Sequence, residues 1–235
     1  MPAVLPDIPT VETQIIAMTN AYRGRQGLGA VKANANLTKA ARAYAKYLAD
    51  TGTFSHTADG REAGDRITSA GYQWCLFGEN LALHLDSRGF EALALAEKSV
   101  EGWINSPPHR ANLVAPGVTE IGVGVAQAPD EDPKYISVQL FARPQSMRVR
   151  FQVSNTTREP VAYSFGGDTH EIEPRTSVSH SSCSAGEISF DSFGGGLWPK
   201  AISMRYEARD GLVYRLEPDA DGGVRVAVTP MERVR

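Results

Sequence analysis

The chain has 235 residues, enough for one large domain or two small ones and enough to bury a core without covalent staples. Hydrophobic residues make up 42% and charged residues 22%, as in ordinary soluble globular proteins, and the net charge of -3 gives no electrostatic case for nucleic acid or an anionic membrane surface as a partner. There is no apolar run of transmembrane length, and Met1-Pro2-Ala3-Val4-Leu5-Pro6 has neither the basic region nor the apolar core of a signal peptide, so the sequence reads as cytoplasmic or as a mature form whose leader has been removed.

The first half reads as helical. Ile15, Ile16, Met18, Thr19 and Tyr22 fall at helical spacings within Thr10 to Arg23, with Gly24 and Gly27 available to end the element. A second helix is expected from Thr38, as its cap, to Asp50, with Ala40, Ala41, Tyr44, Tyr47 and Leu48 on one face and Gly52 after it. A third, shorter one fits Gly60 to Ser69. A fourth runs from about Gly89 to Asn105 and is stopped by Pro107-Pro108.

After His109 the period changes. Ile121, Val123 and Val125 alternate with small residues, Ile136, Val138 and Leu140 alternate with Ser137, Gln139 and Phe141, and the acidic Pro129 to Pro133 segment connects them as an antiparallel hairpin. From Met147 the character is all-β: strands are expected at 147–153, 161–165, 176–181, 187–190, 201–207, 212–216 and 224–228. A boundary near residue 145 therefore divides an α+β domain, residues 1–145, from a small β-rich domain, residues 146–235. Cys75 and Cys183 are too few for a disulfide framework; they could form at most one bridge, and the plainer reading is two buried, inert thiols.

Chemistry concentrates in the first domain. Two of only five histidines lie in dense polar stretches, Phe54-Ser55-His56 and Ser106-Pro107-Pro108-His109-Arg110-Ala111-Asn112-Leu113, with Gly78-Glu79-Asn80 between them. A carboxylate set between two imidazoles is the raw material of a metal or an acid/base site. Taken singly, each residue also has a plain reading: a histidine at a helix junction as a cap, Glu79 as the first-turn acid of a helix, Arg110 and Asn112 as loop residues satisfying carbonyls. His84 reads as an exposed polar residue, and His170 and His180 match no ligand spacing. Asn36-Leu37-Thr38 and Asn155-Thr156-Thr157 have the form of glycosylation acceptors. Gly-x-Ser-x-Gly, His-Glu-x-x-His and the phosphate-binding glycine loop are absent, and Gly122-x-Gly124 lacks the third glycine of a dinucleotide fingerprint.

The order of these motifs, with Asp65-Arg66-Ile67, Ala70-Gly71-Tyr72, Trp103 and Ile121-Gly122-Val123-Gly124-Val125 among them and Asn20-Ala21-Tyr22-Arg23 ahead of them, resembles the bacterial branch of the CAP superfamily (cysteine-rich secretory, antigen 5 and pathogenesis-related 1 proteins; SCP domain) over roughly residues 10 to 143. The resemblance implies an α-β-α sandwich, followed here by a sandwich-like β module, and a cleft lined by two histidines and two acids. It places the first histidine at His56, the first acid at Glu79 and the second histidine at His109, with Asn80 and Arg110 beside them. The cleft of relatives can hold a divalent metal, typically Zn²⁺, which suits imidazole and carboxylate donors.

The fourth cleft residue departs from the pattern. Ser106 stands where the animal and plant branch has its second acid, Glu101 points elsewhere on the helix, and Glu120 is the better placed candidate if its strand edges the cleft. Pro108 stands where bacterial relatives usually have glycine, which removes a backbone donor. On this basis the expected function is a secreted or envelope-associated binding protein or effector whose partner is a protein, a lipid or a cell-envelope component. The alternative is a hydrolase, either with zinc on His56 and His109 and Glu79 as general base, or with Ser106 or Ser55 as nucleophile.

Overall fold

The structure is a computed structural model that describes residues 3–184, 186–193, 201–220 and 223–231, with the backbone alone for 191–193, 201 and 202. Of the N-terminal stretch read for a leader, Met1 and Pro2 lie outside the described residues. The chain forms two compact units, residues 1–146 and 147–235.

In the first unit, helix α1 (Ile8–Arg25) starts where Asp7 accepts from the Thr10 amide, with Pro9 in its first turn. After the short strand β1 (Lys32–Ala33), helix α2 (Ala35–Thr51) is capped by Asn34, whose Oδ1 accepts from the amides of Asn36 and Leu37. Thr38, expected as the cap, lies one turn inside the helix. Helix α3 (Ala63–Ser69) is shorter than expected because its start is fixed by Asp65 accepting from the Glu62 amide.

Strand β2 (Trp74–Leu85) follows, and was not expected: the polar Gly78-Glu79-Asn80 motif interrupts its alternation. Helix α4 (Ala92–Asn105) ends before the two prolines, but Pro107 and Pro108 also open a further helix, α5 (Pro107–Leu113), so His109 lies on a helix rather than in a loop. Strands β3 (Glu120–Ala128) and β4 (Lys134–Pro144) form the expected hairpin.

The sheet order is β1-β3-β4-β2, and the side chains of β4 divide between its two faces. Val138, Leu140 and Ala142 pack with α2 and α3, while Tyr135 and Phe141 pack with the apolar residues of α1, α4 and α5. This is the α-β-α sandwich. Helix α2 lies directly on β3: a Cβ at Gly122 would sit 2.2 Å from the carbonyl carbon of Leu37, and one at Gly124 2.1 Å from the Arg42 amide nitrogen. Glycine is required at both positions by helix-to-strand contact, not by a turn.

The second unit is a sandwich of two four-stranded sheets. Strands β5 (Val149–Asn155), β6 (Val161–Phe165), β7 (Asp168–Ile172), β8 (Ser177–Ser182), β9 (Glu187–Phe193), β10 (Ala201–Glu207), β11 (Leu212–Pro218) and β12 (Val224–Pro230) assemble as β10-β9-β6-β7 and β12-β11-β5-β8. Phe151, Val153, Tyr163, Ile188, Phe190, Tyr214 and Leu216 fill the space between them. β7 was not expected, since Asp168-Thr169-His170-Glu171-Ile172 carries only one core residue, Ile172. Asn155 is fully buried and spends its amide on the carbonyls of Glu159 and Ile172, so its triplet is no glycosylation site. Neither cysteine is a free thiol, which corrects the expectation of two inert thiols.

Candidate functional site

Glu79 sits on the edge strand β2 and points to the α2–α3 side of the sheet, paired across it with Leu140. Its side chain is 4% exposed, and a carboxylate so placed needs a partner. Arg66 on α3 supplies it: Nη2 donates to Oε2 at 2.8 Å and to Oε1 at 3.1 Å. His56, from the loop after α2, places Nδ1 2.8 Å from the same Oε1. The three groups form one contact network, with His56 its only solvent-exposed member.

Arg66 is buried as deeply as the acid, also at 4%. Its Nη1 donates to Asp59 Oδ1 at 2.9 Å and to the Arg61 carbonyl at 2.7 Å, Nη2 also donates to the His56 carbonyl, and the guanidinium lies 3.5 Å from the Tyr44 ring centroid. Tyr44 in turn donates to the Ser55 carbonyl at 2.5 Å and accepts from the Ala58 amide. The loop carrying His56 is thus tied to α2 and α3 at several points. A cation-π contact and charge-assisted bonds to two acids replace the water that the guanidinium has lost.

His109 approaches from the other side on α5. Asn80, fully buried beside Glu79 but facing the opposite side of the sheet, donates to the His109 carbonyl at 3.2 Å and to Gln139 Oε1 at 3.0 Å. Asn112 on the same helix donates to the Glu79 carbonyl and to Asn80 Oδ1. A side chain at Gly78 would strike Asn112 Oδ1 at 2.8 Å. Gly78, Asn80 and Asn112 therefore dock α5, and with it His109, against β2.

The two imidazoles are driven apart electrically. His56 is raised above the ordinary histidine value, chiefly by its hydrogen bond to Glu79 and against the cost of burial. His109 is lowered, first by burial and then by the charge of His56. Near neutrality the pair offers one donor biased to the protonated state and one ring biased to the neutral state.

Other expected site residues lie apart from this network. Glu120 is held by the Tyr72 hydroxyl and by Asn34 Nδ2 at 3.2 Å, on the far side of β4 from β2. Arg110 is exposed and, among the described residues, its guanidinium donates to the Ile104 carbonyl at 3.4 Å. Ser106 joins α4 to α5 with its hydroxyl making no cap bond, and Ser55 Oγ accepts from the Thr57 amide. His84 is half-buried with its Nε2 enclosed, contrary to the exposed reading. Arg66 and Asp59 were missed as site residues. The available signal was Arg66 three residues after the apolar Ala63, at helical spacing, which puts a charge on a helix face with an apolar neighbour.

Glu79 is poorly placed to hold a zinc ion. Among the described residues no three His, Cys, Asp or Glu side chains converge as a metal cage. Both Glu79 oxygens already face the Arg66 guanidinium, whose charge opposes a cation there.

The sequence model of the cysteine-rich secretory protein (CAP) family matches residues 16–141, more than half of the chain. The uncharacterized protein YkwD of Bacillus subtilis is 30% identical over 122 residues, covering 52% of this chain and 44% of that protein. The uncharacterized membrane protein YlbC of the same organism is 28% identical over 137 residues, covering 57% and 35%. The chain thus spans less than half the length of either relative. Among solved structures, an outer surface protein of Borrelia burgdorferi superposes with a TM-score of 0.50 at 24% identity, over 57% of this chain and 93% of that one, a likeness of fold.

Proposed function

From the premise that the chain belongs to the cysteine-rich secretory protein (CAP) family, we propose that it is a secreted or envelope-associated protein that holds a ligand or partner at the His56–His109 cleft without turning it over. One observation carries this reading: the acid of the cleft is already committed. Glu79 gives both oxygens to Arg66 and shares one with His56, so the acid a hydrolase would use as general base already has a guanidinium and an imidazole as partners. The groups left to meet a ligand are the two imidazoles, one biased toward a charged donor and one toward a neutral ring. No serine hydroxyl among the described residues is bonded to either imidazole, as a nucleophile–base pair would be.

Location outside the cytoplasm is supported by the family's secretory character and by the lack of a free thiol, since disulfides persist mainly in oxidising compartments. No described helix is long and apolar enough to cross a membrane.

The test is a retention assay on immobilised full-length chain with two probes, soluble muropeptides and phosphatidylglycerol vesicles, with chromatography of the probe after contact. The expected result is retention of one intact probe, lost in His56→Ala and in His109→Ala. Cleaved probe released by the wild type and not by those variants would replace the binding reading with the hydrolase.

A further inference from the structure

Arg66 also lines a cavity of about 260 Å³ between α2, the loop after it and α3. Its charged and aromatic lining is Lys39, Tyr44, Tyr47, Asp59, Arg61 and Arg66, over a floor of small residues from α2. None of His56, Glu79 and His109 contributes to it.

The aromatic wall is fixed in advance. Tyr44 and Tyr47 stack with ring centroids 6.3 Å apart and planes within 10°. Both hydroxyls are consumed by the loop, Tyr44 donating to the Ser55 carbonyl and Tyr47 to the Ala58 carbonyl at 3.1 Å. What the tyrosines leave for an occupant is ring carbon, not a polar group.

The charge is unbalanced. Lys39, Arg61 and Arg66 line the cavity against Asp59 alone, which pairs with both arginines. Counting Glu79, behind the wall, against Arg66 still leaves one positive charge, on a lysine for which no ion pair is found among the described residues. Among the described residues the Nε of this buried guanidinium has no hydrogen-bond partner. An unsatisfied buried donor beside a cavity of surplus positive charge favours an occupant that brings an acceptor.

We propose that this cavity is a second binding site, taking a small monocarboxylate with a flat apolar body. The carboxylate meets Lys39 and Arg61 at the rim, and the body lies on the alanine floor and the tyrosine wall. The volume falls below the roughly 300–1,000 Å³ of pockets for drug-sized ligands, which limits the occupant to a small molecule.

Isothermal titration of the full chain with benzoate, at low ionic strength, tests this against benzamide, its neutral near-isostere. Benzoate is expected to saturate at one site per chain, about tenfold or more tighter than benzamide, a difference of about 1.4 kcal/mol. The Lys39→Ala/Arg61→Ala variant, altered only at exposed side chains, loses that preference, while His56→Ala and His109→Ala keep it. Absence of saturable benzoate binding, equal binding of benzamide, or an unchanged preference in the double variant would each overturn the proposal. Because the histidine variants are expected to be silent here, failure of this site and failure of the cleft reading are told apart.

Discussion

At the scale of single residues, the account rests on what Glu79 touches. Two buried carboxylates, Glu79 and Asp59, share the buried guanidinium of Arg66. Replacing Arg66 by methionine keeps much of the bulk and leaves both acids without it, and removing one partner of a buried ion pair costs about 3–5 kcal/mol. Urea unfolding of Arg66→Met should show a loss of that size. Zinc titration followed by metal analysis after gel filtration should find no stoichiometric zinc on the wild type, and no difference in His56→Ala. One equivalent retained by the wild type and lost in that variant would contradict the committed state of Glu79. His56 could be singled out in the sequence because histidine is scarce, and Glu79 because it stands in a compact polar motif. Arg66 was hidden because Asp65-Arg66 reads as polar surface until α3 is known to bury that face. Glu120 could not be placed either, since a strand's neighbours across the sheet, here Tyr72 and Asn34, leave no mark in local spacing.

At the scale of elements, periodicity made α1, α2, α4 and the β3–β4 hairpin legible, because each buries a regular face. β2 escaped because its middle is the site: Gly78, Glu79 and Asn80 serve docking and charge pairing, which breaks the hydrophobic alternation a strand would show. α5 escaped because two prolines were read only as a stop, though proline equally suits a first helical turn. Contact between α2 and β3 yields a sharp expectation. Gly124→Ala puts a methyl into the α2 backbone, where no flexible side chain can give way. Its cost should reach at least the roughly 1–3 kcal/mol of core overpacking, read as a lowered midpoint of thermal unfolding, whereas alanine at Gly102, which meets nothing nearby, should not lower it. Asn34→Ala removes the cap of α2 and a hydrogen bond to Glu120, and should cost about 1 kcal/mol or slightly more in the same measurement.

At the scale of the whole molecule, two units with separate cores follow from the shift to closely spaced short strands near residue 147. The β unit holds a ring cluster that sequence spacing did not disclose. His180 on β8 stacks on Phe151, bonds through Nε2 to the Tyr163 hydroxyl at 2.6 Å in the opposite sheet, and lies 5.1 Å from His170. Its pKa is lowered, first by burial and then by His170. The unfolded chain therefore binds this proton more readily than the folded one, so this group favours folding above the ordinary value near 6.5 and opposes it as pH falls below that value. Protection factors of the amides of β5, β6 and β8 in the intact chain, with the intrinsic slowing of exchange at low pH divided out, should fall between pH 7 and pH 5, and less so in His180→Phe. Equal behaviour of the two proteins would remove His180 as the cause.

His56 has the opposite sign. With its pKa raised by Glu79, its contribution to stability is complete below the unfolded value and fades as pH rises through the folded one. The most direct measurement of the committed carboxylate is therefore a two-dimensional NMR titration of the imidazole nitrogens in the intact wild-type chain. The expected result is two separate midpoints, His56 above the ordinary histidine value and His109 below it. Coincident midpoints, or His109 titrating above His56, would contradict a cleft in which Glu79 is bound to His56 and Arg66.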